Sequence, residues 1–422
     1  MVRSGLSKFK GKRILLLQGP VGPFFHRLSQ DMAQAGAQVF KVNFNGGDWL
    51  FYSGRAFNYR GKMEEWPAYF ENLLAQLHVD VVMLFGDCRP IHRVAHEISQ
   101  RHGLEIGVFE EGYIRPDYIT LEQFGVNGNS PLPRSPIFYL NNTLPDMDAP
   151  MPLGNTYWHA VRWSILYYLC AGFLKPTFLH YQHHRPLTWL ESLPWLKSVW
   201  RKWRYAAKER GVLARLTGKY AGRYFLVPLQ VHNDAQLVSH SSFDTIKQFI
   251  DEVMTSFARN APRRRILVIK HHPMDRGYCD YADFIAEKIE LLGLQGRCFY
   301  IHDQHLPTLL DHTCGVVVIN STVGLSAMIH GAPVKVCGKA LYDMKGLTFH
   351  HSLGRFWRES QHAKPNPKLL RLFYTYLIGY SQLNGSFYKR LPIVASATGL
   401  RWAMNETKSV EGSRTEVRSG SR

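Results

Sequence analysis

Two adjacent carboxylates, Glu110 and Glu111, close the apolar run "VFEEG" in a chain that carries 51 Lys and Arg against 33 Asp and Glu, a formal net charge of +18. Carboxylates at the end of a buried strand are costly unless solvent, a partner or a ligand meets them. Two readings stand: a capped strand end with an ion pair to Arg115, or an acid/base group at the mouth of an α/β sheet. Three further groups occupy similar places. "QVHND" sets Gln230 and Asp234 beyond one apolar run, "KHHP" sets Lys270, His271, His272 and Pro273 beyond another, and "NSTVG" sets Asn320, Ser321 and Thr322 between a third run and a helical stretch. Ser and Thr at a helix entry offer hydroxyls and free N–H groups to an anion, with plain helix capping as the alternative. Lys270 and His272 would add charge and donors beside the same anion, with Pro273 holding that loop extended. A histidine pair also suits a metal, but it makes up no recognisable ligand set here, so no metal is expected.

Together these groups read as a phosphate pocket opposite carboxylates, an arrangement for moving a sugar off a nucleotide. Fixed donors stabilise the charge gained by the leaving phosphate. A carboxylate on the far side deprotonates the acceptor hydroxyl or attacks the anomeric carbon.

The elements that must position these groups follow from the apolar rhythm. "RILLLQGP", "VFKVNFN", "VDVVMLFGD" and "LEIGVFEEG" are short, nearly continuous apolar runs separated by helical stretches, as strands buried on both faces of a parallel sheet should be. A second series, "YFLVPLQ", "RRILVIKHHP", "RCFYIHD", "CGVVVINSTVG" and "APVKVCG", repeats the rhythm. With 422 residues the chain is long enough for two cores. The fold class is therefore α/β, with two Rossmann-like domains of glycosyltransferase-B type and ligands in the cleft where the strands end. The expected division is an N-terminal acceptor domain over 1–150, a helical insertion over 151–223, a nucleotide-sugar domain over 224–400 and a disordered tail over 401–422. The insertion mixes Trp and Tyr with Arg and Lys, which suits either packing on the domains or contact with an anionic bilayer surface. No stretch approaches the roughly 18–20 apolar residues of a spanning helix, and six scattered cysteines read as reduced thiols.

At this point a resemblance carries weight. "QGPVGPFF", "VNFNGGDW", "LFGDCRPIH", "FEEGYIRPDYITLE", "QVHND", "KHHPMD" and "NSTVGLSAMIHGAPVKVCGKALYD" resemble, in order, the bacterial capsule polysaccharide biosynthesis/export family of KpsS/LipB type. The resemblance implies a retaining transferase that moves β-Kdo (3-deoxy-D-manno-octulosonic acid) from CMP-Kdo to a phosphatidylglycerol or lysophosphatidylglycerol acceptor. The reaction would take place at the cytoplasmic face of the inner membrane of a Gram-negative cell, to start a capsule linker. It implies Glu111 as acid/base with Glu110 as its alternate, and Asp234 as nucleophile with Gln230 beside it. It further implies His272 and Pro273 at the CMP phosphate, with Asn320, Ser321, Thr322 and Lys270 nearby. No cofactor beyond the donor is expected. Arg89 and His92 stand where an acceptor phosphate could be met. A rival reading is a non-catalytic subunit that assembles with other capsule synthesis and export proteins. Nucleic acid is not an expected partner, because the positive charge is spread along the chain with no RNA-binding motif or zinc finger.

Overall fold

The computed structural model describes residues 5–142, 149–182, 192–233, 237, 240–392, 394 and 396–402. Two sheets organise them. The first holds β1 (Arg13–Leu16), β2 (Gln38–Asn43), β3 (Ala56–Asn58), β4 (Val81–Phe85), β5 (Glu105–Glu111), β6 (Tyr118–Gln123) and β12 (Gln382–Asn384), in the order β12-β6-β5-β4-β1-β2-β3. Its β1 to β5 run parallel, while β6 and β12 are antiparallel additions. The second holds β7 (Tyr224–Pro228), β8 (Ile266–Lys270), β9 (Cys298–Ile301), β10 (Gly315–Val318) and β11 (Val334–Val336), all parallel, in the order β11-β10-β7-β8-β9. In each sheet the first strand lies inside and the chain winds away from it in both directions. This creates one switch point between β1 and β4 and another between β7 and β10, as the two-domain reading expects.

Both sheets are buried on both faces, which explains their unbroken apolar runs. In the first, Leu15, Val82, Leu84, Ile106 and Val108 pack against Trp66, Phe70 and Ile98 of two helices. Ile14, Leu16, Met83 and Phe109 pack on the other face against Phe24, Leu28 and Met32. In the second, Phe225, Val227, Leu267 and Ile269 meet Phe249, Val253, Phe257 and Trp357.

The chain does not stay in two consecutive halves. The helix Pro367–Ser381 lays Leu369, Phe373 and Leu377 on the second unit's core, then delivers β12 to the first sheet. The return covers the edge of β6, which would otherwise expose unpaired backbone. Asp31, buried in the helix Phe24–Gln34, accepts the Thr398 N–H at 2.9 Å and its hydroxyl, while Trp402 packs edge-on against Phe9. The described residues between 382 and Trp402, allotted by the sequence to the second domain and the tail, thus lie with the first sheet. Residues 403–422 lie outside the described residues.

Over 151–223 the helices Tyr157–Phe173 and Ser192–Lys208 each anchor to a different unit. The first lies on the helix Gly46–Leu50 so closely that a Cβ on Gly46 would come within 2.4 Å of the Cys170 carbonyl oxygen, and one on Gly47 within 2.5 Å of the Tyr167 ring. That contact is why "NGGDW" carries two glycines. The second sends Arg201 to the carbonyl oxygens of Arg276 (2.9 Å) and Cys279 (3.1 Å), and the Tyr205 hydroxyl to Asp280 at 3.0 Å. No helix among the described residues is long and apolar enough to cross a membrane.

Glu122 on β6 is buried beneath this returning segment, close to Ser130 and the Tyr113 hydroxyl, and burial pushes its carboxyl up to about 8. A carboxyl raised above its unfolded value near 4.3 contributes stability that is complete below that value and lost as pH rises through the folded one. Urea denaturation should therefore show stability falling between about pH 5 and 8. In Glu122→Gln, which stays neutral, that fall should flatten.

Candidate active site

The strand ends of the two sheets supply the polar groups. Side chains alternate along β5, so Glu111 shares a face with Phe109 and Glu110 takes the opposite one with Val108. Phe109 lies in the cluster that also holds Phe387 of the return, and the next residue, Tyr388, donates its hydroxyl to Glu111 Oε1 at 2.8 Å. Burial and the Glu111 charge hold the Tyr388 phenol well above the usual tyrosine range, so it remains a donor. Glu110 turns back to accept the Glu111 N–H at 2.9 Å, and its carboxylate lies over Gly86 at the end of β4. Arg115, the pairing partner considered for these carboxylates, donates instead to the Gly112 carbonyl oxygen at 3.2 Å.

At the second sheet, His272 is extended and half-buried, and its Nδ1 accepts the Met274 N–H at 3.2 Å. A neutral ring with that acceptor carries its proton on Nε2, a donor suited to a phosphate oxygen. Burial pushes the His272 ring down to about 4, with Asp275 opposing and with Lys270 and Arg115 adding to the effect. Arg115 therefore stands within electrostatic reach of both Tyr388 on the first unit and His272 on the second. Pro273 opens a short 3-10 turn, Pro273–Asp275, rather than an extended loop; the extended residue is the one before it, as proline favours.

Lys270 is buried at the end of β8, where burial lowers its pKa against the charges of Asp303 and Glu209. Asp303 and Glu209 favour its charged form, and Arg276 opposes it. Gln230 is buried just beyond β7. Asn320, Ser321 and Thr322 are half-buried between β10 and the helix Val323–Ile329, across the β7–β10 switch point from Gln230. Ser321 Oγ accepts the Val323 N–H at 3.2 Å, a local turn at the helix entry, while Thr322 at the N-cap makes no side-chain capping bond. Asp234 lies outside the described residues.

Sequence reasoning missed a hydrogen-bonded dyad with a buried carboxylate. Asp275 is fully buried and accepts two bonds from His232, from its backbone N–H at 2.6 Å and its ring Nδ1 at 2.7 Å. The ring proton is thereby held on Nδ1, and Nε2 keeps its lone pair. Asp275 follows His272 by three residues, and that spacing was the available signal. His232, Asp275 and Cys279 have ligand atoms within 4.8 Å of one another, a grouping able to hold a cation. Both Asp275 oxygens are already used by His232, however, so the hydrogen-bonded dyad is the simpler state. His240 was also missed. Its ring packs so tightly on Gly128 of the first unit that a Cβ there would come within 2.4 Å of it, while its carbonyl oxygen accepts the Lys339 N–H of the second at 2.8 Å.

Removing the buried Asp275 carboxylate takes the partner from both the backbone N–H and the ring Nδ1 of His232. Asp275→Ala should cost about 2–4 kcal/mol in urea denaturation. His232→Gln, whose amide still reaches the carboxylate, should cost less than about 1 kcal/mol.

With the geometry in hand, comparison with known proteins is informative. The model of the capsule polysaccharide biosynthesis protein family matches residues 80–388. The chain is 42% identical over 382 residues to the capsule polysaccharide export protein KpsS of Escherichia coli, covering 90% of this chain and 97% of that one. It is 39% identical over 393 residues to the capsule polysaccharide modification protein LipB of Neisseria meningitidis serogroup B, covering 90% and 92%. Among solved structures, the β-Kdo 2,7 transferase KpsC of Thermosulfurimonas dismutans aligns with a TM-score of 0.41 at 16% identity, covering 89% and 93%. The chain belongs to the capsule polysaccharide biosynthesis protein family.

Proposed function

We propose that this protein is a glycosyltransferase that moves β-Kdo from CMP-Kdo to phosphatidylglycerol or lysophosphatidylglycerol, starting the lipid linker of a capsular polysaccharide. The observation that carries the reading is the position of Arg115, which comes within electrostatic reach of Tyr388, the hydrogen-bond donor of Glu111, and of His272. The acidic strand end of one unit and the His-Pro turn of the other thus belong to one electrostatic neighbourhood, as donor and acceptor sides of a single reaction require.

In this reading the donor lies on the second unit. His272 Nε2–H, Ser321 and Thr322 meet the single phosphate, with Asn320, Gln230 and the loop held by Pro273 shaping the pocket and Lys270 adding charge. A carboxylate, assigned to Asp234, attacks the anomeric carbon as the bond to the phosphate oxygen breaks and its electron pair leaves with CMP. The acceptor hydroxyl then displaces that carboxylate and gives its proton to Glu111, so configuration is retained. Glu110 is the alternate for that proton. One phosphate needs no divalent ion when fixed donors face it.

The same reading sets the protein on the inner face of the inner membrane. Trp158, Leu169 and Phe173 on one helix and Val199, Trp200 and Trp203 on the other are exposed, Phe173 by 84% and Trp203 by 76%. Arg162, Lys197, Lys202 and Arg204 lie on the same two helices. Exposed aromatics among cations suit anionic headgroups. Trp200→Ala with Trp203→Ala should lower sedimentation with phosphatidylglycerol vesicles roughly tenfold, with an unchanged circular dichroism spectrum.

The decisive assay supplies CMP-Kdo, generated in situ, and a fluorescent lysophosphatidylglycerol, and reads the gain of one Kdo by mass spectrometry. Wild type should transfer, and Asp234→Ala, Glu111→Gln and His272→Ala should each lose about a hundredfold or more. Folded wild type that transfers nothing, even on vesicles, would instead favour a non-catalytic subunit working beside other capsule synthesis and export proteins.

A further inference from the structure

At the β1–β4 switch point of the first sheet lies a buried polar network that the reaction scheme above leaves unused. Gln18, just past β1, donates Nε2 to Asp48 Oδ2 at 3.2 Å and shares a 2.7 Å bond with the Tyr181 hydroxyl. Asp48 also accepts the Tyr167 hydroxyl at 3.1 Å and the Phe44 N–H at 3.1 Å. Gln18, Asn45 and Asp48 are each at most 5% exposed. With its Nε2 committed to Asp48 and Tyr181, the Gln18 amide can turn only Oε1 outward, and there it accepts Arg89 Nη1 at 2.9 Å.

The result is a half-buried guanidinium held by a neutral group. The carboxylates beside it are engaged elsewhere. Asp48 has the donors just named and faces buried Lys41, while Asp87 accepts the Val126 N–H at 3.2 Å and Asn129 Nδ2 at 3.0 Å. Lys41 and Arg89 balance Asp48 and Asp87 in charge, but among the described residues neither carboxylate makes an ion pair with the guanidinium, whose charge faces the neutral Gln18 amide. His92 does not share it: the ring is buried, bonded through Nδ1 to the Gly86 carbonyl oxygen at 2.7 Å, and pushed down to about 3 by burial and by the Arg89 charge. A fixed guanidinium with no carboxylate in ion-pairing contact among the described residues keeps donors open to a planar or tetrahedral oxyanion.

We infer that Arg89, oriented by Gln18 and Asp48, binds the phosphodiester of the acceptor's headgroup. This rests on the transferase reading and assigns its acceptor side. Tyr167 belongs to the helix Tyr157–Phe173, so the helix that exposes Trp158 and Phe173 also braces the anion site. A lipid lying against that helix would present its headgroup toward the switch point. Arg89 is a binding residue here; Gln18 is a positioning residue acting through it.

The test is steady-state transfer from CMP-Kdo to lysophosphatidylglycerol and to the uncharged acceptor monoacylglycerol, with inorganic phosphate as competitor. Arg89→Gln should raise KM for lysophosphatidylglycerol roughly 10–50-fold with kcat within about threefold, and leave KM for monoacylglycerol unchanged. Arg89→Lys should be intermediate, and Gln18→Leu should raise KM for the anionic acceptor alone by about 3–10-fold. Phosphate competing against lysophosphatidylglycerol in wild type, and no longer in Arg89→Gln, would tie the site to phosphate chemistry. Retention of the KM difference at saturating phosphate would assign it to the lipid. Equal effects on both acceptors, losses confined to kcat, or unchanged variants beside active wild type would overturn this inference alone. Wild type inactive with both acceptors would overturn the transferase reading and this one with it.

Discussion

A parallel sheet buried on both faces has no room for polar chemistry except where its strands end. That constraint governs this molecule twice over. Each sheet is filled by aliphatic side chains from β1 to β5 and from β7 to β11, and in each the polar groups gather at the carboxyl ends, around the switch point. Glu110 and Glu111, Gln18 and Arg89 stand at the end of one sheet. Gln230, His232, His272 and Ser321 stand at the end of the other. What remains is to bring the two ends together and hold them there.

Among the described residues, three features contribute to this. His240 crosses from Lys339 to Gly128, filling the space that a glycine leaves. The helix Pro367–Ser381 belongs to the second core yet hands the chain back to the first sheet as β12. The two helices of the aromatic-basic segment fasten to opposite units, one at Asp48 and the other at Asp280. A molecule braced in this way can close on a substrate only by movements that these links tolerate, which favours small rotations about His240 over wide opening.

The parts legible in the sequence were those written in local pattern. Apolar runs gave both strand series, and the abrupt Trp- and Arg-rich texture gave the two helices of the insertion. The parts that were not legible depend on partners far along the chain. β12 is only "QLN", three residues with no apolar run, and becomes a strand because β6 offers it an edge. Asp275 reads as an ordinary turn residue until His232, 43 positions earlier, is folded against it. Gln18 reads as a loop residue until Tyr181 arrives from 163 positions away. Lys270 was legible from its place at a strand end, whereas the acidic groups that act on it, Glu209 and Asp303, come from segments that carry no motif.

The return of the chain also bears on how an acid/base carboxylate would work here. A hydrogen bond to one carboxylate oxygen fixes how the group is turned and leaves its other lone pairs to face a substrate. Glu111 accepts such a bond from Tyr388, and Tyr388 is held in place by Phe387 in the aromatic cluster and by Trp163, whose Nε1 donates to the Tyr388 carbonyl oxygen at 3.0 Å. Trp163 sits on the same helix as the exposed Trp158 and Phe173. The orientation of Glu111 is therefore tied to the returning segment and to the helix that faces outward. Trp163 and Tyr388 are the two residues that connect that helix to the carboxylate.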